Sequence, residues 1–377
     1  MLTSAVVFVD TMFYAAVTPI LPSFVEEFGL SKAGAGVLAG SYAVGTLAGS
    51  LPGGWLAARV GARPTVVLGL GLMSASAVVF AFAGHVVVLD AARFVQGMAG
   101  AASWAGALAW LMEAAPSERR GELLGVAMGA AIGGALFGPV LGGAADVLGR
   151  GLVFSIVAAV GFALAGSAAR TPAVGSPASP SLRRLGAAVI DARVATAMWL
   201  VVLPGLVFGT VGVLAPLRLD ALGAGTALIA ATFLAGAALE AIVSPIAGRI
   251  SDRRGRELPL LVGLAGGAAF MVVLPLAGSA WLVIALVAAA APVIGILWAP
   301  AMAMLTDATA DRGLAYGLGF ALMNLAWAVG QSAGSIGGAS VGQALGDAAA
   351  YLLLAAACTV SMAVVRRAGA SRASSRT

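Results

Sequence analysis

Three side chains carry charge inside apolar runs: Asp10, Arg93 and Glu240. Each costs roughly 2.5 to 3.5 kcal/mol at the centre of a membrane helix, so a chain that keeps them has a use for them. Burial favours the neutral form of a carboxylate, a nearby guanidinium favours the ionised form, and an arginine stays charged throughout. A carboxylate held between those influences takes up and releases a proton near ambient pH. The chemistry expected is proton coupling through Asp10 and Glu240 with Arg93 as the fixed charge. The competing role of each acid is a structural hydrogen bond between helices. Asp90, three residues before Arg93, reads as its pairing partner along the helix.

Arg93, Gln96, Gly100, Ser103, Ala107 and Trp110 fall on one helical stripe, and Asn324, Trp327 and Gln331 share another. Polar groups beside aromatics on such stripes suit the wall of a wet cavity. The expected substrate-binding set is Asp10, Tyr14, Gln96, Trp104, Trp298, Asn324, Trp327 and Gln331. For Trp104 and Trp298, packing or interfacial anchoring is an equal reading. An intramembrane enzyme would need a nucleophile and base or a metal cluster. The single histidine, His85, lies in a short connection and the single cysteine, Cys358, in an apolar run, so no enzyme, metal, cofactor or disulfide is expected. No G-x-x-x-x-G-K-[ST] segment supports a nucleotide-driven pump.

The elements that position these groups follow from composition. Of 377 residues, 61% are hydrophobic and 10% charged, with mean hydropathy +1.03; no soluble fold covers such a surface, so the bilayer is the solvent. Net charge is +5, but the arginines sit in short loops, which sets topology and does not point to nucleic acid. Apolar runs of about 20 residues predict twelve membrane helices, roughly 4–25, 32–57, 64–83, 86–112, 120–147, 151–168, 193–217, 224–250, 258–277, 280–306, 313–341 and 348–365. The first lacks a basic leader and carries Asp10, so it reads as a span and not as a secretory signal.

The chain also repeats. At one constant offset Gly54, Arg59 and Gly61 map onto Gly248, Arg253 and Gly255, Pro22 onto Pro216, and Trp104 onto Trp298; at an offset two residues smaller Gly138 and Gly142 map onto Gly330 and Gly334. The expected architecture is therefore an all-α membrane protein with two pseudo-symmetric six-helix bundles, residues 1–168 and 193–366. A Pro, Ser and Arg-rich cytoplasmic linker, 169–192, joins them, and 367–377 is a cytoplasmic tail. With both termini cytoplasmic, all of the 21 basic residues except Lys32, Arg93, Arg150 and Arg218 lie on the inner side, as the positive-inside rule requires. Gly134, Gly138 and Gly142 recur every fourth residue and make a ridge for close helix approach, as do Gly330, Gly334 and Gly338. Pro139 adds a possible bend.

These segments resemble a known family. Gly248-Arg249-Ile-Ser-Asp252-Arg253-Arg254-Gly255-Arg256-Glu257 is similar to the G-x-L-A-D-R-x-G-R-R loop of the major facilitator superfamily. The first-half copy keeps Gly54, Arg59, Gly61 and Arg63 but has Ala58 and Ala62 where an acid and a base are expected. Arg93-Phe-Val-Gln96-Gly97-Met-Ala-Gly100 resembles that family's R-x-x-Q-G-x-x-G pattern, and the run from Gly134 through Gly138 and Pro139 to Gly143 looks like its antiporter signature. Asp10-Thr-Met12 with Pro19-Ile-Leu-Pro22 is similar to the first helix of tetracycline exporters and vesicular amine transporters. The resemblance covers essentially the whole chain. It implies the twelve-helix drug:proton antiporter branch, a plasma-membrane carrier working as a monomer on protons and a small-molecule substrate. The loop residues and the glycine-proline ridge would serve as conformational-switch elements. In that family the loop acid is implicated in latching the halves together, so Ala58 implies either a weakened inner latch or one that relies on Asp252. Proton-coupled nutrient uptake is the alternative.

Overall fold

The computed structural model describes residues 1–116, 119–172, 190–312 and 316–374, and these are almost entirely helical. Helix α1 runs Leu2–Ala15, passes through a 3-10 turn at Thr18–Ile20 and resumes as Leu21–Phe28. It is followed by α2 (Lys32–Val60), α3 (Ala62–Phe82), α4 (Val86–Ala114), α5 (Arg120–Leu148) and α6 (Arg150–Arg170). The second half comprises α7 (Ala192–Ala221), α8 (Thr226–Arg254) and α9 (Glu257–Val273, closed by a 3-10 turn). Helix α10 is in two parts (Ala280–Gly295 and Trp298–Ala310), α11 is Tyr316–Ser332 continued to Leu345, and α12 is Asp347–Ser374. Among the described residues, nine of these segments are long and apolar enough to cross a membrane by length and composition. Helices α2, α4 and α11 fall outside that set; they are rich in Gly, Ala and Ser and pack closely against one another and against neighbouring helices.

Local signals set the ends. Ser31 caps α2 by accepting from the Gly34 amide at 3.1 Å, and Ser279 caps α10 from Leu282 at 3.3 Å. Gly61 and Gly255 adopt φ of +105° and +87°, a region that disfavours a Cβ, which lets α2 reverse into α3 within one residue and α8 into α9 within two. The expected continuous first span is instead broken, because Pro19 and Pro22 supply no amide to the helix ladder. Pro139 lies inside an uninterrupted α5.

Packing repeats with the sequence. In the first half α1 lies on α4 and α5, α2 on α4, and α3 on α4 and α6; in the second, α7 lies on α10 and α11, α8 on α10, and α9 on α10 and α12. The halves meet through α2 against α11 and α5 against α8, which are equivalent pairs under the same duplication. Glycine makes the closest approaches. A Cβ on Gly134, Gly138 or Gly142 would strike Phe8, Ala15 or Ala16 of α1, and one on Gly330, Gly334 or Gly338 would strike Val202, Leu206 or Thr210 of α7. Outward positions such as Phe82, Trp281 and Leu353 are largely exposed apolar side chains, as a lipid-facing surface demands.

Candidate functional site

The break in α1 creates the site. With Ala15 its last helical residue, the carbonyls of Phe13 and Tyr14 lose their ladder donors and face α4 at the negative end of the short helix. Arg93 of α4, only 2% exposed, fills that role. Its Nη1 donates to the Phe13 carbonyl at 3.1 Å and to Gln96 Oε1 at 3.1 Å, and its Nη2 donates to the Tyr14 carbonyl at 3.3 Å. The guanidinium also stacks 4.7 Å from the centroid of the Tyr42 ring on α2.

Asp10 lies one turn earlier on α1, buried against Gly100 of α4. The Tyr42 hydroxyl donates to its Oδ1 at 3.0 Å. Tyr42 thus stands between the buried acid, held by its hydroxyl, and the buried cation, held by its ring face. The expected Asp90–Arg93 pair does not form: the guanidinium is engaged by the α1 carbonyls and Gln96, and Asp90 Oδ1 is buried without a protein partner. The freed carbonyls are the reason, since they offer two fixed acceptors that a flexible i,i+3 carboxylate does not displace.

The cluster continues into the other half. Trp327 of α11 meets Tyr14 edge-on with centroids 5.1 Å apart and Tyr42 at 6.5 Å, and Tyr14 and Tyr42 lie 5.4 Å apart. Gln331, one turn on, donates to Ser335 Oγ at 3.5 Å, at the edge of a π-helical turn, Ala333–Gly338, that interrupts α11. Asn324 reaches the Ala101 carbonyl of α4 at 3.5 Å. Gln96 Nε2, Arg93 Nε and Gln331 Oε1 are buried with no hydrogen-bond partner among the described residues. A small pocket of about 30 Å³ lined by Tyr14, Thr18, Arg93, Gln331 and Ser335 adjoins them, room for about two water molecules.

The remaining candidates lie apart. Glu240 sits half-buried against Gly295 of α10, and among the described residues it has no hydrogen-bond partner and no contact joins it to Arg93. Trp104 and Trp298 pack against the hydrophobic core outside the aromatic cluster. At the loops, Arg59 stacks over Trp55 at 5.0 Å, Arg63 donates to the Thr171 carbonyl at 3.2 Å and Arg256 pairs with Asp307 at 2.5 Å. Asp252 and Arg253 are exposed, Gly54 is buried, and a Cβ on Gly248 would meet open space. Arg119 pairs with Glu122 inside the first half and Arg256 with Asp307 inside the second, and Arg312 of the second half meets Asp191 of the linker. At the opposite end Lys32 Nζ meets Asp347 Oδ1 at 2.5 Å and the Ala33 amide donates to Gln343 at 2.9 Å, joining α2 to α11 and α12.

Sequence reasoning missed Tyr42. The available signal was an isolated phenol in a helix of Gly, Ala and Ser, three to eleven residues ahead of Gly45, Gly49 and Gly53, which seat α2 on the α4 backbone.

Two equivalent six-helix bundles around a buried acid and arginine define a polytopic membrane protein of duplicated design. The chain belongs to the Major Facilitator Superfamily, whose family model matches residues 3–331. Among curated relatives it is 28% identical over 141 residues to the MFS-type transporter ppzB of Metarhizium rileyi, covering 36% of this chain and 29% of that protein. It is 26% identical over 145 residues to the quinolone resistance protein NorA of Staphylococcus aureus, covering 38% and 37%. These matches span about a third of each relative. Among solved structures a D-xylose-proton symporter superposes with TM-score 0.78 over 97% of this chain and 95% of that one at 17% identity, a likeness of fold alone.

Proposed function

We propose that the protein is a proton-coupled efflux antiporter of small amphipathic compounds that works by alternating access. The observation that carries this reading is the cluster of Asp10, Tyr42 and Arg93, buried in the first half and touching Trp327 of the second. A proton acceptor at the interface of two bundles couples its charge state to their relative position. Protons entering from outside neutralise Asp10 and release the substrate, and the deprotonated acid then accepts substrate from the cytoplasm. One site that does not bind both well gives exchange.

In this reading residues 1–168 and 193–366 rock as two bodies about the 169–192 linker, of which 173–189 lie outside the described residues. Glu240 is a second proton carrier in the other half. Tyr14, Gln96, Asn324, Trp327 and Gln331 line the path, with Trp104 and Trp298 farther along it. The glycine ridges of α5 and α11 and the arginine loops are the moving contacts. An acid-containing aromatic site favours cationic or zwitterionic solutes, and similarity to part of a quinolone resistance protein supports export of such compounds. We place the protein in the plasma membrane as a monomer, both termini cytoplasmic, consistent with where its arginines fall.

Energised inside-out vesicles provide the test, with ethidium as the amphipathic cation. Export predicts accumulation inside only when a proton gradient, acid inside, is imposed; proton-coupled import predicts the opposite flow. Asp10→Asn is expected to abolish gradient-driven accumulation and Glu240→Gln to reduce it. Normal pumping by both variants defeats the proton-carrier assignment.

A further inference from the structure

We infer that Tyr42 is the positioning residue through which the charge state of Asp10 is transmitted to Arg93 and to the opposite bundle. The inference rests on the proposed proton coupling and adds a residue and a route to it. Among the described residues Tyr42 alone makes all three contacts: its hydroxyl donates to Asp10 Oδ1, its ring face carries the Arg93 guanidinium, and its ring lies T-shaped to Trp327 across the interface with centroids 6.5 Å apart.

The physical sequence follows from those contacts. A phenol donates strongly to a carboxylate and far less strongly to a carboxylic acid, so protonation of Asp10 weakens the bond that fixes the Tyr42 ring. The ring is the platform under the guanidinium, and Arg93 is otherwise anchored to α1 carbonyls that do not titrate. A loosened ring therefore changes its packing on Trp327 before Arg93 moves, which lets the α2–α11 contact change while α1 and α4 remain tied. The helix carrying Tyr42 is suited to this, because its glycines bear directly on α4 and its outer half on the π-helical turn of α11, where Gly36 and Gly40 meet Ser335, Ala339 and Ile336.

Few other groups compete for Asp10. Tyr14 and Arg93 are the other ionisable side chains of the cluster, Asp90 lies farther out on α4, and α11 presents the neutral Asn324, Trp327 and Gln331. The acids of α5, Glu122 and Asp146, sit near its ends, as do Arg150 and Arg170 of α6 and Arg218 and Asp220 of α7. Changes made at Tyr42 are therefore read mainly by Asp10 and Arg93.

The experiment measures ethidium–proton exchange against pH in proteoliposomes for wild type, Tyr42→Phe, Tyr42→Leu, Asp10→Asn and the Tyr42→Phe/Asp10→Asn double variant. Tyr42→Phe keeps the ring but removes the donor that favours an ionised carboxylate, so the pH midpoint of exchange moves upward by about one unit, a tenfold change in proton concentration. Tyr42→Leu also removes the cation–π platform and costs at least a further several-fold in rate. In the Asp10→Asn background, Tyr42→Phe has no additional effect. A wild-type midpoint in Tyr42→Phe, with the Asp10→Asn profile flat, overturns the role of Tyr42 and leaves proton coupling standing. An unchanged profile in Asp10→Asn overturns the coupling itself. Additive effects in the double variant refute transmission through Asp10 and mark Tyr42 as a packing residue.

Discussion

Adding one methyl group at Gly100 tests the central geometry without altering any charge. A Cβ there would overlap Asp10 Oδ1, lie 2.7 Å from the Tyr42 hydroxyl and 3.3 Å from Asp10 Cγ. Carbon needs roughly 3.5 Å to its non-bonded neighbours, so the carboxylate must retreat by about an ångström, enough to break the 3.0 Å bond from Tyr42. A hydrogen bond to a charged group contributes about 1.5 to 3 kcal/mol, and at about 1.4 kcal/mol per decade its loss corresponds to a change of roughly tenfold to a hundredfold. Alanine is otherwise the better helix former by about 0.5 to 1 kcal/mol, so the helix itself is not weakened. The expected outcome for Gly100→Ala is a folded protein with a modestly lowered unfolding temperature in detergent, whose proton-driven ethidium transport in vesicles falls at least tenfold. Gly71→Ala, where an added Cβ meets open space, is the matched control and transports normally. Wild-type rate and pH profile in Gly100→Ala would refute the premise that the Asp10–Tyr42 contact matters to transport.

Arg93→Lys keeps the charge but cannot serve two carbonyls, Gln96 and a ring face at once; transport in the same vesicle assay falls more than tenfold, and retention of wild-type rate means a point charge suffices. The Lys32–Asp347 pair is about one-third exposed and contributes on the order of 1 kcal/mol at most. Lys32→Asp therefore speeds maleimide labelling of a cysteine placed at Thr18 by up to about fivefold, and the Lys32→Asp/Asp347→Lys reversal restores it; no change in the single variant shows that the pair does not help close that end. Gly334→Ala forces a Cβ into the Leu206 backbone and costs about 1 to 3 kcal/mol, seen as a lower unfolding temperature. Gly125→Ala, in open space, leaves that temperature unchanged.

Much of the design was legible in one dimension. Long apolar runs fix helices because a bilayer leaves the backbone no other partner, and the repeat that maps Gly138 onto Gly330 reappears as glycine ridges on α5 and α11 seated on α1 and α7. Asp10, Arg93 and Gln96 were legible for a similar reason, since polar cost makes them conspicuous among apolar neighbours. Asp90 misled because i,i+3 spacing describes only neighbours on one helix, whereas the acceptors that hold Arg93 come from α1, eighty residues earlier in the case of Phe13.

Hydropathy, spacing and duplication thus determined the class of fold, the number of spans and the rare charges inside them, because each depends on what a residue costs in lipid. Partner choice was decided only in three dimensions. The proline break leaves two carbonyls free, but which side chain meets them is not written in its own segment; Arg93 comes from α4, the glycines of α2 bring Tyr42 up to α4, and α11 carries Trp327 across the interface, so only folding brings acid, phenol, guanidinium and indole together.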